Sequence, residues 1–194
     1  ENARKFYSLQ SNGLLTLQSD VHKSVLRMPQ KSDEYGYWSK NNDSWALDGP
    51  KLDSDIRQAL GSFGKNFSYS SVAIVVTGES KAFKSMGSSG WALSYGEEGF
   101  FFGQPDLKNV MYLVDKDGSS LSDVFIHEFG HLLGFIDLYS TGYLGDSTGP
   151  FDVMAYSWER SKSFLGWNLW LKGWIKDTQV VCPVCVTSDR SPLS

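Results

Sequence analysis

Leu121-Ser122-Asp123-Val124-Phe125-Ile126-His127-Glu128-Phe129-Gly130-His131-Leu132-Leu133-Gly134-Phe135 is the stretch from which the rest of the chain can be read. Val124, Phe125, Phe129, Leu132, Leu133 and Phe135 make it apolar on more than one face, which predicts a helix over residues 121–135 sandwiched inside a core. Ser120 and Asp123 have capping-box-like spacing at its start, and Gly134 can end it or let the chain turn sharply. Within that helix His127 and His131 lie one turn above each other, with their rings ~6 Å apart along the axis. Both imidazoles can then reach one ion at Zn–N distances of ~2.0–2.1 Å. Glu128 is rotated ~100° from His127. It is poorly placed as a ligand and well placed to touch a water on the metal.

A catalytic zinc needs three protein ligands and an open position. The one remaining histidine is His22, far from the motif. Downstream, His127 to Asp137 reads H-E-x-x-H-x-x-G-x-x-D. A glycine at position 134 lets the chain double back, so that Asp137 can face the ion. Asp146 and Asp152 are rival third ligands.

This pattern resembles the extended motif of the metzincin metalloproteases, and Asp152-Val153-Met154-Ala155-Tyr156 is similar to their Met-turn, a loop whose methionine packs under the zinc site. The wording around both motifs resembles one family in particular. His127-Glu128-Phe129-Gly130-His131, Gly134, Asp137-Leu138-Tyr139, Phe151-Asp152-Val153-Met154 and Leu165-Gly166-Trp167 are similar to the immune-inhibitor-A-type secreted bacterial metalloproteases. The likeness covers about residues 123–175, and the first 100 residues carry no motif of it. Leu132 and Ile136 depart from the polar residue and the proline common there, and neither departure removes a proposed ligand. The resemblance implies a zinc endopeptidase, secreted from a multi-domain precursor, with one catalytic Zn2+ and structural Ca2+. Met154-Ala155-Tyr156 has the Met-x-Tyr spacing of astacin- and serralysin-like metzincins, which implies a Tyr156 hydroxyl near the zinc, aimed at the oxyanion of the tetrahedral intermediate.

Working outward, Phe6–Gln10 and Leu14–Gln18 flank Ser11-Asn12-Gly13 and read as a hairpin. Residues 29–51, polar with Trp38 and Trp45 embedded, read as a long surface loop docked by its aromatics. Residues 53–63 have helical spacing, closed by Gly61 and Gly64. Val72–Thr77 is a β-branched run that reads as a buried strand; Trp91–Tyr95 and Val110–Val114 are further strands. Trp91–Tyr95 is also a candidate edge strand for substrate. Asp115-Lys116-Asp117-Gly118-Ser119 lacks the closing glutamate of a calcium loop and reads as a turn. Phe164, Trp167, Leu171 and Trp174 predict a C-terminal helix ended by Gly173. The whole is an α/β (α+β) arrangement. The resemblance makes it a metzincin-like catalytic domain with a twisted, mostly parallel sheet, an active-site helix and a C-terminal helix. One domain spans 1–194, with an N-terminal subdomain to about 134, a C-terminal one over about 135–181, and a tail at 182–194.

Composition excludes several other classes. With 41% hydrophobic and 21% charged residues the 194-residue chain can bury a core. A formal net charge of −4 and no basic run leave no footprint for nucleic acid. No apolar run approaches the ~18 residues of a membrane span. Cys182 and Cys185, the only two cysteines, do not make a disulfide framework; a local bridge or pairing with segments outside this chain fits them best. The expected partner is a peptide or protein in an extended conformation, and the expected chemistry is hydrolysis with Glu128 as general base. Two other functions fit the same residues: an inactive protease-like binding module, which zymography with and without chelator would expose, and a zinc amidase on a non-peptide substrate, which a peptide-library digest would separate.

Overall fold

A computed structural model of the chain describes residues 1–22, 25–41, 43–60, 69–77, 109–115, 120–139, 148–155 and 163–181, together with the backbone of 90–94. Helices and two small sheets mix in an α+β arrangement. In chain order the elements are α1 (Asn2–Gln10), β1 (Gly36–Ser39), β2 (Ser44–Leu47), α2 (Gly49–Leu60), β3 (Ser71–Thr77), β4 (Gly90–Ser94), β5 (Asn109–Asp115), α3 (Leu121–Leu132) and α4 (Gly166–Leu171).

The larger sheet has the order β3-β5-β4. β5 runs parallel to β3, with Val72 opposite Val110 and Val76 opposite Val114, and antiparallel to β4, with Trp91 opposite Tyr112. The described strands therefore form a mixed sheet rather than a mostly parallel one. Only a parallel pair needs a long crossover, and β4 enters the sheet the other way round. Val110 to Val114 are buried without a break, as a strand covered on both faces must be. Val110, Tyr112 and Val114 pack with Tyr35, Leu52 and Ile56, so the β1–β2 hairpin region and α2 cover one face. Met111 and Leu113 point to the opposite face by the period of a strand, and α3 packs there against β4 and β5. β3 is not the fully buried strand expected: Ala73, Val75 and Thr77 are exposed, because only its Val72, Ile74 and Val76 side meets the core.

A second core lies along α3 and joins Tyr7, Ile126, Phe135, Val153, Met154, Phe164 and Trp174. Its rings interlock, with centroids 5.0 Å apart for Tyr7 and Phe129 and 4.5 Å for Phe135 and Phe164; such pairs each add about 0.5–1.5 kcal/mol beyond burial. α3 thus lies between the sheet and this aromatic core, which accounts for its apolar faces.

Four expectations about local structure are corrected. Residues 6–10 are helical, not a hairpin arm: Ala3, Phe6 and Tyr7 share one helical face, Tyr7 is fully buried, and its hydroxyl donates to the Ile126 carbonyl of α3. Asn12 and Gly13, at φ 53° and 79°, end α1, and the Gly13 N–H reaches the Ser8 carbonyl at 2.8 Å. The same residues that favour a hairpin turn favour a helix C-terminus, because both need positive φ. Residues 29–51 are a 3-10 turn at Ser32–Tyr35, the β1–β2 hairpin and the start of α2 rather than a loop. Trp38 and Trp45 face each other across that hairpin, and the buried anchor is Tyr35. The C-terminal helix is only six residues long, so Phe164 and Trp174 flank it; Gly173, at φ 73°, does follow its end. The helix expected at 53–63 begins earlier, at Gly49, with Pro50 in its first turn where a missing N–H costs nothing; residues 61–63 lie outside the described residues. No helix is long and apolar enough to cross a membrane among the described residues.

Candidate metal centre

α3 starts as its sequence requires. Ser120 is extended at the N-cap and its hydroxyl accepts the Asp123 N–H at 3.4 Å, satisfying one of the orphan donors of the first turn. It ends in a Schellman arrangement: Gly134 takes φ 90°, its N–H donates to the His131 carbonyl at 2.9 Å, and the Phe135 N–H donates to the Gly130 carbonyl at 3.0 Å. That reversal carries Asp137 back over the histidine face of the helix.

There three side-chain atoms converge. His127 Nε2 and His131 Nε2 are 3.2 Å apart, and Asp137 Oδ1 lies 3.1 Å from the first and 3.2 Å from the second. The other nitrogen of each ring is tied to backbone: His127 Nδ1 donates to the Val153 carbonyl at 2.8 Å, and His131 Nδ1 to the Phe135 carbonyl at 3.0 Å. A carbonyl can only accept, so each neutral ring carries its proton on Nδ1 and presents a lone pair at Nε2. Two imidazole lone pairs and a carboxylate oxygen thus face one another, an arrangement that repels itself unless a cation lies between them. Ligands held at ~2.0–2.1 Å in a tetrahedral shell stand about 3.3 Å apart, so the observed spacing fits a metal ion. His127, His131 and Asp137 form a group that could hold one.

A proton is a poor substitute for that cation at His127. Burial, above all, with help from His131, holds its pKa below the ordinary 6.5 against the raising influence of the Val153 carbonyl and Asp137. Exposure rises across the group, from 10% at the His127 side chain to 25% at His131 and 36% at Asp137, so the centre is rooted in the core and opens toward solvent on the Asp137 side.

Glu128 is buried on α3 beside His127. Tyr139, which no spacing rule singles out, stacks against the His127 ring at 6.3 Å and 18°. Its hydroxyl is pushed up to about 12 by burial first, then by hydrogen bonding to Asp137 and the charges of Asp137 and Glu128. It therefore stays protonated across the working range, a donor within electrostatic reach of both carboxylates. The sequence marks it only as part of the Asp137-Leu138-Tyr139 stretch of the resemblance, with no role attached.

Met154 is fully buried under α3; a Cβ built at Gly130 would lie 2.7 Å from its Sδ. Asp152, a rival third ligand by sequence, is turned away: it has no exposure and its carboxylate accepts from the Met154 and Leu165 N–H groups and from Asn168 Nδ2. The other rival, Asp146, and the candidate oxyanion donor Tyr156 lie outside the described residues, as do Cys182 and Cys185. Compared with known proteins, the chain matches no family model, no curated protein and no solved structure.

Proposed function

We propose that this chain is a zinc-dependent endopeptidase of metzincin type, hydrolysing peptide bonds in extended substrates. The observation that carries the reading is the 3.1–3.2 Å triangle of His127 Nε2, His131 Nε2 and Asp137 Oδ1, with both Nδ1 protons already committed to carbonyls. Two imidazoles and one carboxylate are a donor set that suits zinc and leaves a position open. When bound, zinc supplies an electrophile for the scissile carbonyl and makes water a competent nucleophile near neutral pH.

The chain's own residues do the rest. His127 and His131 are held in one tautomer by Val153 and Phe135, so no reorganisation is needed on binding. Glu128 takes the proton of the attacking water and returns it to the leaving amine. Its burial in the wall of the site removes competing solvent. Tyr139 keeps its proton and offers a donor beside the same carboxylates, and Tyr156 is the second donor that the Met-x-Tyr spacing implies. β4 pairs antiparallel with β5 and packs against α3, the helix that carries His127 and His131, so it is the strand along which an extended peptide would add. Following the immune-inhibitor-A resemblance, the enzyme is secreted, with further domains and structural calcium.

Metal analysis combined with two variants tests this. The purified chain should hold about one zinc, His131→Ala should lose it, and Glu128→Gln should keep it while casein hydrolysis falls by more than ~10²-fold. A Glu128→Gln chain that digests casein as fast as the native one refutes the mechanism. Cleavage of a small amide but of no member of a peptide library would refute the endopeptidase reading and leave the metal centre standing.

A further inference from the structure

Asp152 is a carboxylate with no solvent exposure, and its bonds run in two directions. Oδ1 accepts the Met154 N–H at 2.7 Å, within its own turn. Oδ2 accepts the Leu165 N–H at 2.6 Å and Asn168 Nδ2 at 2.8 Å, at the start of α4, and Asn168 is itself buried. The turn is closed further by Ala155 N–H on the Asp152 carbonyl at 3.0 Å and by Val153 N–H on the Ser163 carbonyl at 3.1 Å.

The next two carbonyls along that turn both lead to the metal centre. The Val153 carbonyl accepts from His127 Nδ1 at 2.8 Å. The Met154 carbonyl accepts the Leu138 N–H at 2.9 Å, one residue beyond Asp137. His127 stands on α3 and Asp137 on the returning chain, so one short turn sets two ligands from separate elements against each other. We infer that Asp152, braced by Asn168, is the positioning pair of the metal centre: it fixes the two carbonyls that aim His127 and Asp137, and it links those ligands to α4. The inference rests on the metal reading of the triad.

The chemistry asks for a carboxylate at this place. Three N–H donors converge on its two oxygens, and a carboxylate offers only acceptors. An asparagine would have to turn its own N–H2 toward at least one of those donors, and the turn would shift to relieve it. A shift of a few tenths of an ångström at the Val153 and Met154 carbonyls passes directly to His127 Nε2 and Asp137 Oδ1. Outer partners of metal ligands typically govern 10–100-fold of affinity.

The test is the zinc dissociation constant, measured by chelator competition on the full chain, together with the visible absorption of the Co2+-substituted form. Asp152→Asn should weaken zinc by roughly 10–100-fold and change the Co2+ spectrum; Asn168→Ala, which removes the Nδ2 bond to Oδ2, should change both in the same direction by less. Ile56→Val, in the separate core under α2, serves as the control. It should lower the melting temperature and leave zinc affinity and spectrum untouched. Variants that melt early yet bind zinc with native affinity and spectrum would make Asp152 a stabiliser of its turn only, and overturn the inference. If Asp152→Asn fails to fold, Asn168→Ala decides by the same criterion. A native chain that binds no zinc would overturn the metal centre itself, a result distinct from native affinity in the variants.

Discussion

Gly130 stands inside α3 between the two histidines, where a glycine costs helix stability. Replacing it by alanine should relieve that cost, by about 0.5–1 kcal/mol on intrinsic grounds. The surroundings oppose the gain. The new Cβ would lie 2.7 Å from Met154 Sδ, 3.4 Å from its Cε and 3.6 Å from Phe135 Cδ2. An ordinary carbon–sulfur contact is nearer ~3.7 Å, so Met154 has to withdraw by about 1 Å, and overpacking of that kind costs about 1–3 kcal/mol. Met154 is the end of a flexible side chain, but it has no exposure and is packed in one core with Ile126, Phe135, Val153 and Phe164. The net expectation for Gly130→Ala is a loss of about 0–2 kcal/mol, or a melting temperature lower by up to ~8 °C for a domain of this length. Because Met154 moves with the turn that carries the Val153 and Met154 carbonyls, zinc affinity should fall as well. Denaturation in urea and chelator competition, run on Gly130→Ala, Met154→Ala and the double variant, measure both. The double variant should lose less than the sum of the singles, since truncating Met154 empties the space the new methyl needs. A Gly130→Ala chain that gains about 1 kcal/mol with unchanged zinc affinity would refute the packing argument and show that helix propensity dominates at this position.

Two further outcomes follow from the buried polar groups. His127 titrates below its ordinary 6.5 when folded, mainly through burial. Between that lowered value and 6.5 the unfolded chain binds more protons, so stability is fully present above about pH 6.5 and is lost as pH falls toward the folded value. Urea midpoints of the metal-stripped chain at pH 8 and pH 5 should show this, and a midpoint that rises in acid would contradict it. Tyr7→Phe removes the hydroxyl that donates to the Ile126 carbonyl one residue before His127. It should cost about 0.5–1.5 kcal/mol, and an unchanged melting temperature would show that the bond contributes nothing net.

The recognisable parts of this protein are those in which neighbours in sequence are also neighbours in space. The i, i+4 pairing of His127 and His131, the Ser120 cap and the Gly134 reversal are properties of one helix and its two ends, so residue type and spacing suffice to place them. The β-branched run at 71–77 and the apolar run at 109–115 are strands for equally local reasons. Ser11-Asn12-Gly13 marks the opposite case. Positive φ was foreseeable there, but whether the chain arrived as a strand or a helix depended on Tyr7 finding Phe129, Phe164 and Trp174, partners more than a hundred residues away.

Sequence alone therefore sets the motif, the helix that bears it and the turn that brings a carboxylate back toward it. Tertiary structure decides which carboxylate arrives. Spacing after Gly134 favours Asp137 and leaves Asp152 a rival, and the packed chain turns the first toward the histidines and buries the second among N–H donors. It also decides the tautomer of each ring, through the Val153 and Phe135 carbonyls, and the direction of β4 in the sheet. The physical reason is the same in each case. Backbone spacing restricts where a side chain can point, but its partner is chosen by burial and by the need of every buried donor to meet an acceptor, and those conditions are imposed by segments distant in the chain.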